Sequence, residues 1–278
     1  MRNRFFFAAV AAVALAPALA LANECKYTAA HDFDVDAAGL ATAAFELGSD
    51  DLTVEGVPGL AKVEVRGKAC ASDPSWLGQL DVTQQRSGSQ LSIGLHNDHH
   101  SGNWFGSNYA YLEVHVRVPA SLAVVSRGSS GDADIRGVAS LDAKTSSGDL
   151  RVARVAGALR LELSSGDVQG QDIGSVEVNR VSSGDIQLSE VHGDVHLDHC
   201  GSGDVSFDTV GGSVTIGDIG SGDVSLRHVD HDASVHSIGS GDVNASDIGG
   251  NFTVDRKGSG DVRHSNVRGK VSVPRDDD

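Results

Sequence analysis

Ser202-Gly-Asp-Val-Ser-Phe-Asp-Thr-Val-Gly-Gly-Ser-Val-Thr-Ile-Gly-Asp-Ile219 decides the fold. Its apolar residues fall at Val205, Phe207 and Val210, then at Val214, Ile216 and Ile219, so the order is h-x-h-x-x-h, a glycine turn, and h-x-h-x-x-h again. Alternation within each half is a strand period, and the two-residue step before the last apolar position predicts a bend that keeps the inner face inside. The neighbouring stretches keep the frame, with Ile186, Leu188, Val191, Val195, Leu197 and Cys200 before it, and Val224, Leu226, Val229, Ala233, Val235 and Ile238 after it.

Outward from this stretch, Ser-Gly-Asp followed by an apolar residue recurs with glycine at Gly131, Gly148, Gly166, Gly184, Gly203, Gly222, Gly241 and Gly260. A short fixed period marks a stacked repeat, because one coil cannot bury its apolar face alone. Stacking such coils about 4.8 Å apart predicts an all-β fold: a single-stranded, right-handed parallel β-helix of roughly 19-residue coils. Glycine is expected to supply a positive φ at each corner.

The frame weakens at both ends. Leu52, Val54, Val57, Leu60, Val63 and Val65 read as one degenerate coil, Tyr111–Val118 as a strand, and Asp73-Pro74 as the start of a short helical turn. Residues 23–125 are therefore expected to form a less regular β cap, and 126–274 the β-helix. Lys257 and His264 occupy core slots near the far end, and Pro274 precedes an acidic tail at 275–278, an arrangement that discourages further strand addition.

Residues 1–22 have the arginines, apolar stretch and Ala20-Leu-Ala22 ending of a secretory signal, with cleavage expected before Asn23. The competing reading is an uncleaved anchor. Cys25 lies too far from Ala22 for lipid attachment at a new N-terminus. Loss of Arg2 and Arg4 would move the formal net charge from -16 to -18, a surface that repels nucleic acid and anionic lipid. No later segment is apolar enough to span a membrane, and the predicted location is the periplasm, cell surface or medium. Cys200 takes the slot of Val181, Ile219 and Ile238, which leaves Cys25 and Cys70 as the expected disulfide, with two free thiols as the alternative; the bond would stabilise by roughly 3–4 kcal/mol.

Two features invite a functional reading. The repeat aspartates, Asp185, Asp204, Asp223 and Asp242 among them, should point outward in one column, where neighbouring carboxylates would repel by roughly 1 kcal/mol in water. Asx-type turns would engage each with its own corner; the alternative is a divalent-cation ladder, the one cofactor the sequence suggests. The segment His96–Tyr109 gathers His96, Asp98, His99 and His100 with Trp104, Phe105 and Tyr109, and Trp76 lies upstream. Those residue types suit a borderline metal or, through the aromatics, a glycan or protein surface; a plain polar loop is the third reading. The other histidines do not recur at one coil position and read as solvated corner residues. No catalytic constellation stands out, so catalytic residues are predicted to be none.

The Gly-Ser-Gly-Asp-Val units, with Leu112-Glu-Val-His-Val-Arg-Val-Pro119 and Leu52-Thr-Val-Glu-Gly-Val57, resemble the bacterial putative-adhesin family with a GIN-type head domain. The resemblance covers residues 40–274 and implies an exported β-helical domain with no catalytic residues to carry over. The expected function is an adhesin-like or scaffold protein of the envelope that binds a glycan or protein surface. The competing expectations are a carbohydrate-active β-helix enzyme and a cation-binding or self-associating structural protein.

Overall fold

A computed structural model describes residues 25–98 and 108–274, and they form a parallel β-solenoid. Each regular coil contributes one strand to each of two facing sheets. In the coil quoted above these are Val205–Val210 and Val214–Ile219. Val205–Val210 pairs in parallel with Ile186–Val191 on one side and Val224–Val229 on the other, so Leu188, Phe207 and Leu226 stack in register. Val195–Cys200, Val214–Ile219 and Ala233–Ile238 stack the same way in the second sheet, with Cys200, Ile219 and Ile238 in one column.

All six apolar frame residues of the quoted coil are at most 3 % exposed. Burial of each stabilises by about 1.5–3 kcal/mol. Cys200 is fully buried, its thiol donates to the carbonyl of Gly203 at 3.0 Å, and burial pushes its pKa up, so it packs as a small hydrophobe.

The corner glycines have a different purpose from the one the sequence suggests. None of the repeat glycines has a positive φ. Each is required by close approach instead: a Cβ on Gly203 would lie 1.9 Å from the carbonyl oxygen of Gly184, and one on Gly222 1.9 Å from that of Gly203. Positive φ occurs at the two-residue bend, in a column that includes Arg154, Asp172, Glu190, Thr209, His228, Asp247 and Asn266. Asp, Asn and His tolerate this region better than most residues, but every non-glycine residue there costs about 1–2 kcal/mol.

The N-terminal part follows the coil frame only in places. Asp51–Val57 lies in the stack, parallel to Ala133–Val138 and to Ala110–Pro119. Val63 and Val65 do not continue a coil: Lys62–Ala71 runs antiparallel to Ala110–Pro119, Tyr27–Ala30 and Phe33–Asp36, and covers the first edge of the solenoid. Stack order also departs from chain order, because Thr42–Leu47 sits between Gln90–Asn97 and Ala123–Gly128. Periodicity cannot distinguish these cases, since an antiparallel cover strand alternates as a coil strand does.

The short helical turn is a 3-10 helix over Pro74–Gln79, whose Asp73 carboxylate accepts from the amide of Ser75 at 2.9 Å. The Cys25–Cys70 disulfide joins the first described residue to a cover strand. At the far end Lys257 pairs with Ile238, its Nζ reaching the Gly260 carbonyl, and His264 is exposed against the Phe252 ring at 6.1 Å.

Gly203→Ala is expected to destabilise by about 2–4 kcal/mol, because a rigid backbone oxygen occupies the methyl position. Gly78→Ala, with open space at its Cβ, is expected to leave the melting temperature unchanged. Thermal denaturation of both variants checks the contrast.

Candidate functional site

The outward aspartates form a ladder, but not by the turn chemistry expected. Each carboxylate accepts the backbone N–H of the aspartate one coil further on: Asp185 from Asp204 at 2.9 Å, Asp204 from Asp223 at 2.9 Å, and Asp223 from Asp242 at 2.8 Å. The same bond links Asp132 to Asp149, Asp149 to Asp167, Asp167 to Asp185, and Asp242 to Asp261. At the corner this N–H lacks a carbonyl partner, and the carboxylate beneath supplies one. The ladder begins at Asp51, which accepts from Asp132 at 3.2 Å. There Asp50 replaces the glycine of the repeat, so the motif had hidden this rung.

A second, shorter ladder runs along the opposite corner. Asp194 accepts from Ser213, Asp232 from Asn251, and Asn251 from Lys270 at 2.9 Å. The amide of Asn251 thus does what a carboxylate does elsewhere. At the end of the first ladder Arg263 contacts both Asp242, at 2.8 Å, and Asp261, at 2.5 Å. The Asp261 amide and then the Arg263 guanidinium hold the Asp242 carboxyl below its ordinary value. No group of three or more His, Cys, Asp or Glu side chains suited to a metal is found among the described residues.

Of the His-rich aromatic cluster, His99, His100, Trp104 and Phe105 lie outside the described residues. The described strands on either side of this segment, Gln90–Asn97 and Ala110–Pro119, pair with Thr42–Leu47 and Asp51–Val57, which residues 48–50 join. His96 is exposed and bonds Thr83 at 3.0 Å, Asp98 is exposed, and Trp76 is half-buried on the 3-10 helix. The Tyr109 carbonyl accepts from the Ser72 amide, its own amide donates to the Ser72 hydroxyl, and its phenol oxygen accepts from the amide of Lys26. Asp50 is 1 % exposed; it accepts from Leu112 N–H at 2.8 Å and Asn97 at 3.2 Å, its other oxygen has no partner among the described residues, and burial pushes its pKa up.

Several histidines are engaged with carboxylates, on strand faces or, for His228, at the bend, rather than idle at corners. His196 bonds Asp198 at 2.7 Å, His236 bonds Asp255 at 3.0 Å, and His228 bonds Asp208 at 3.0 Å. The outer face that carries His196 and His236 cancels its charges across coils, through pairs such as Lys144–Glu162 and Arg160–Glu177. On the other outer face lies an open trough of about 560 Å³ lined by arginines and glutamines, continued by one of about 300 Å³. No motif marks this surface. The signal available in the sequence was the set of outward x positions, which the coil frame assigns once it is found.

A family model described as Toastrack DUF4097 matches residues 77–273, well over half of the chain. No curated protein matches it. Among solved structures, a "putative lipid binding protein" from Parabacteroides distasonis ATCC 8503 is similar, with 13% identity over 90% of this chain and 98% of that one and a TM-score of 0.40. A "putative adhesin" from Bacteroides fragilis NCTC 9343 shows 14% identity over 90% and 98%, with a TM-score of 0.35. A "putative cell adhesion protein" from Clostridium sporogenes ATCC 15579 shows 10% identity over 89% and 100%, with a TM-score of 0.31. Likeness this low carries nothing about ligand or activity, and none of these matches bears on a GIN-type head.

Two outcomes follow from the ladder. Asp204→Asn keeps the acceptor and is expected to melt with the parent, whereas Asp204→Ala strands the Asp223 N–H and should melt about 2–4 °C lower, the shift from losing roughly 1 kcal/mol. Calcium should move neither. Because Asp242 titrates below its unfolded value, its contribution is present above the usual carboxylate range and is lost as pH falls through the lowered value. Arg263→Ala is therefore expected to shift acid unfolding to higher pH, as followed by circular dichroism.

Proposed function

The chain belongs to the Toastrack DUF4097 family, and from the way its acidic side chains are engaged we propose that it is an exported, non-catalytic binding or scaffold protein of the cell envelope, adhesin-like in presenting one long repeated surface. The observation that carries this reading is the ladder itself. Glycan cleavage recruits two carboxyl groups converging on one bond, one of them poised to give up a proton. Here the repeated carboxylates are spread along a corner, each bound to a backbone amide of the next coil. Their role is to hold the stack.

Export is supported by the Cys25–Cys70 disulfide, a bond that persists in oxidising compartments. The expected signal, residues 1–22, lies outside the described residues. No helix among the described residues is long and apolar enough to cross a membrane. The partner in this reading is an envelope glycan or protein, held by many weak contacts along the coils; such repetition raises avidity without any single strong site.

Fractionation of host cells is expected to place the protein outside the cytoplasm; cytoplasmic retention would overturn export. The purified chain should be retained on glycan arrays or envelope fractions with no product released. Depolymerised glycan that disappears in His99→Ala or His100→Ala would overturn the non-catalytic reading in favour of an enzyme.

A further inference from the structure

The trough on the outer face occupies the columns set by the x positions of one sheet. Asp134, Arg151, Gln169, Gln187 and Ser206 follow one another in register, and Arg136, Ala153, Gln171, Ser189, Asp208 and Arg227 form the parallel column beside them. Arg154 enters from the bend column, where its positive φ turns it away from the strand line. These six coils span about 24 Å, five steps of roughly 4.8 Å.

Charge is distributed unevenly within the trough. Arg136 is paired with Asp134 at 2.7 Å and Arg227 with Asp208 at 3.3 Å. The His228 ring, and then Thr209 and Arg227, hold the Asp208 carboxyl low, so that pair stays charged. Arg151 and Arg154 have no ion pair or hydrogen bond among the described residues; both are exposed. The trough lining therefore carries four arginines against two aspartates, on a chain whose formal net charge is -16. The remaining lining is neutral: Gln169, Gln171 and Gln187 with Ser189 and Ser206.

We infer that this trough is a binding site for a linear, carboxylate-bearing polysaccharide that lies along the solenoid axis across Arg151 and Arg154. The inference deepens the proposed function and rests on its binding half. Guanidinium forks match carboxylates in bidentate geometry. Glutamine amides and serine hydroxyls each donate and accept, which is what alternating sugar hydroxyls require. The chemistry disfavours other polymers. Among the described residues no aromatic side chain lines the trough to stack a base, and two free cations on an acidic body are few against a phosphate at every residue. Recruitment to an anionic membrane by charge takes a cluster of basic residues on a surface that is not otherwise acidic. A peptide added as a strand needs an open sheet edge, whereas this is a sheet face whose strands are paired on both sides.

The test titrates the exported chain with oligogalacturonate as the acidic probe and its methyl ester as the uncharged one, by calorimetry at low and physiological salt. The acidic probe should bind and weaken with salt, and the ester should bind at least tenfold more weakly. Arg151→Gln with Arg154→Asn, the asparagine chosen because it tolerates positive φ, should lose tenfold or more for the acidic probe while melting with the parent. Gln169→Ala with Gln187→Ala, which leaves both arginines in place, should weaken acid and ester alike. Equal affinity of parent and arginine variant, equal binding of acid and ester, no binding of the acidic probe, or tighter binding to phosphatidylglycerol vesicles or single-stranded DNA would each overturn the inference. If the arginine variant is still retained on envelope fractions, the trough assignment falls and the proposed function stands. If the probe is bound but cleaved, the trough assignment stands and the non-catalytic reading falls.

Discussion

Everything regular in this molecule depends on how closely one backbone corner can approach the next. At the Ser-Gly-Asp corner the carbonyl of one glycine lies where the side chain of the next glycine would begin, so the coils can stack only while that column has no side chains. Close approach leaves the aspartate N–H without a carbonyl partner, and the carboxylate of the previous coil fills that role. Glycine and aspartate are therefore two halves of one constraint. Glycine permits the spacing, and aspartate satisfies the donor that the spacing strands.

That constraint also determines which surfaces are available for recognition. One corner is committed to the ladder, and one outer face largely cancels its charges through cross-coil ion pairs. The opposite outer face pairs only some of its charges, Arg136 with Asp134 and Arg227 with Asp208, and its side chains vary from coil to coil. In a solenoid each coil answers only to its neighbours, so such a face can change without disturbing the core. The N-terminal end differs again, because antiparallel strands cover the first edge there.

The core was legible because burial imposes a period: Val205, Phe207, Val210, Val214, Ile216 and Ile219 are inward for the reason that they alternate. Cys200 could be read as a core residue for the same reason. The reason for the glycines was not legible, since a requirement for positive φ and a requirement for bare space select the same residue. The bend was legible from the two-residue step, but its positive φ was not, because Arg154, Thr209 and His228 share a backbone angle and no side-chain chemistry. Val63 and Val65 misled because a strand's alternation is the same whether its neighbour runs parallel or antiparallel.

The sequence by itself determined the coil: its length, its six inward positions and its corners, all local consequences of period and of glycine placement. It also singled out Cys25 and Cys70, by showing that Cys200 belongs to the core. Only the tertiary structure decided what stacks on what. Bonds between coils join residues about nineteen positions apart, and the chain's own order does not say whether a carboxylate turns to its own corner or to the next. The trough has the same origin, since its columns of outward residues are assembled from successive coils, and Arg227 finds its partner Asp208 one coil away.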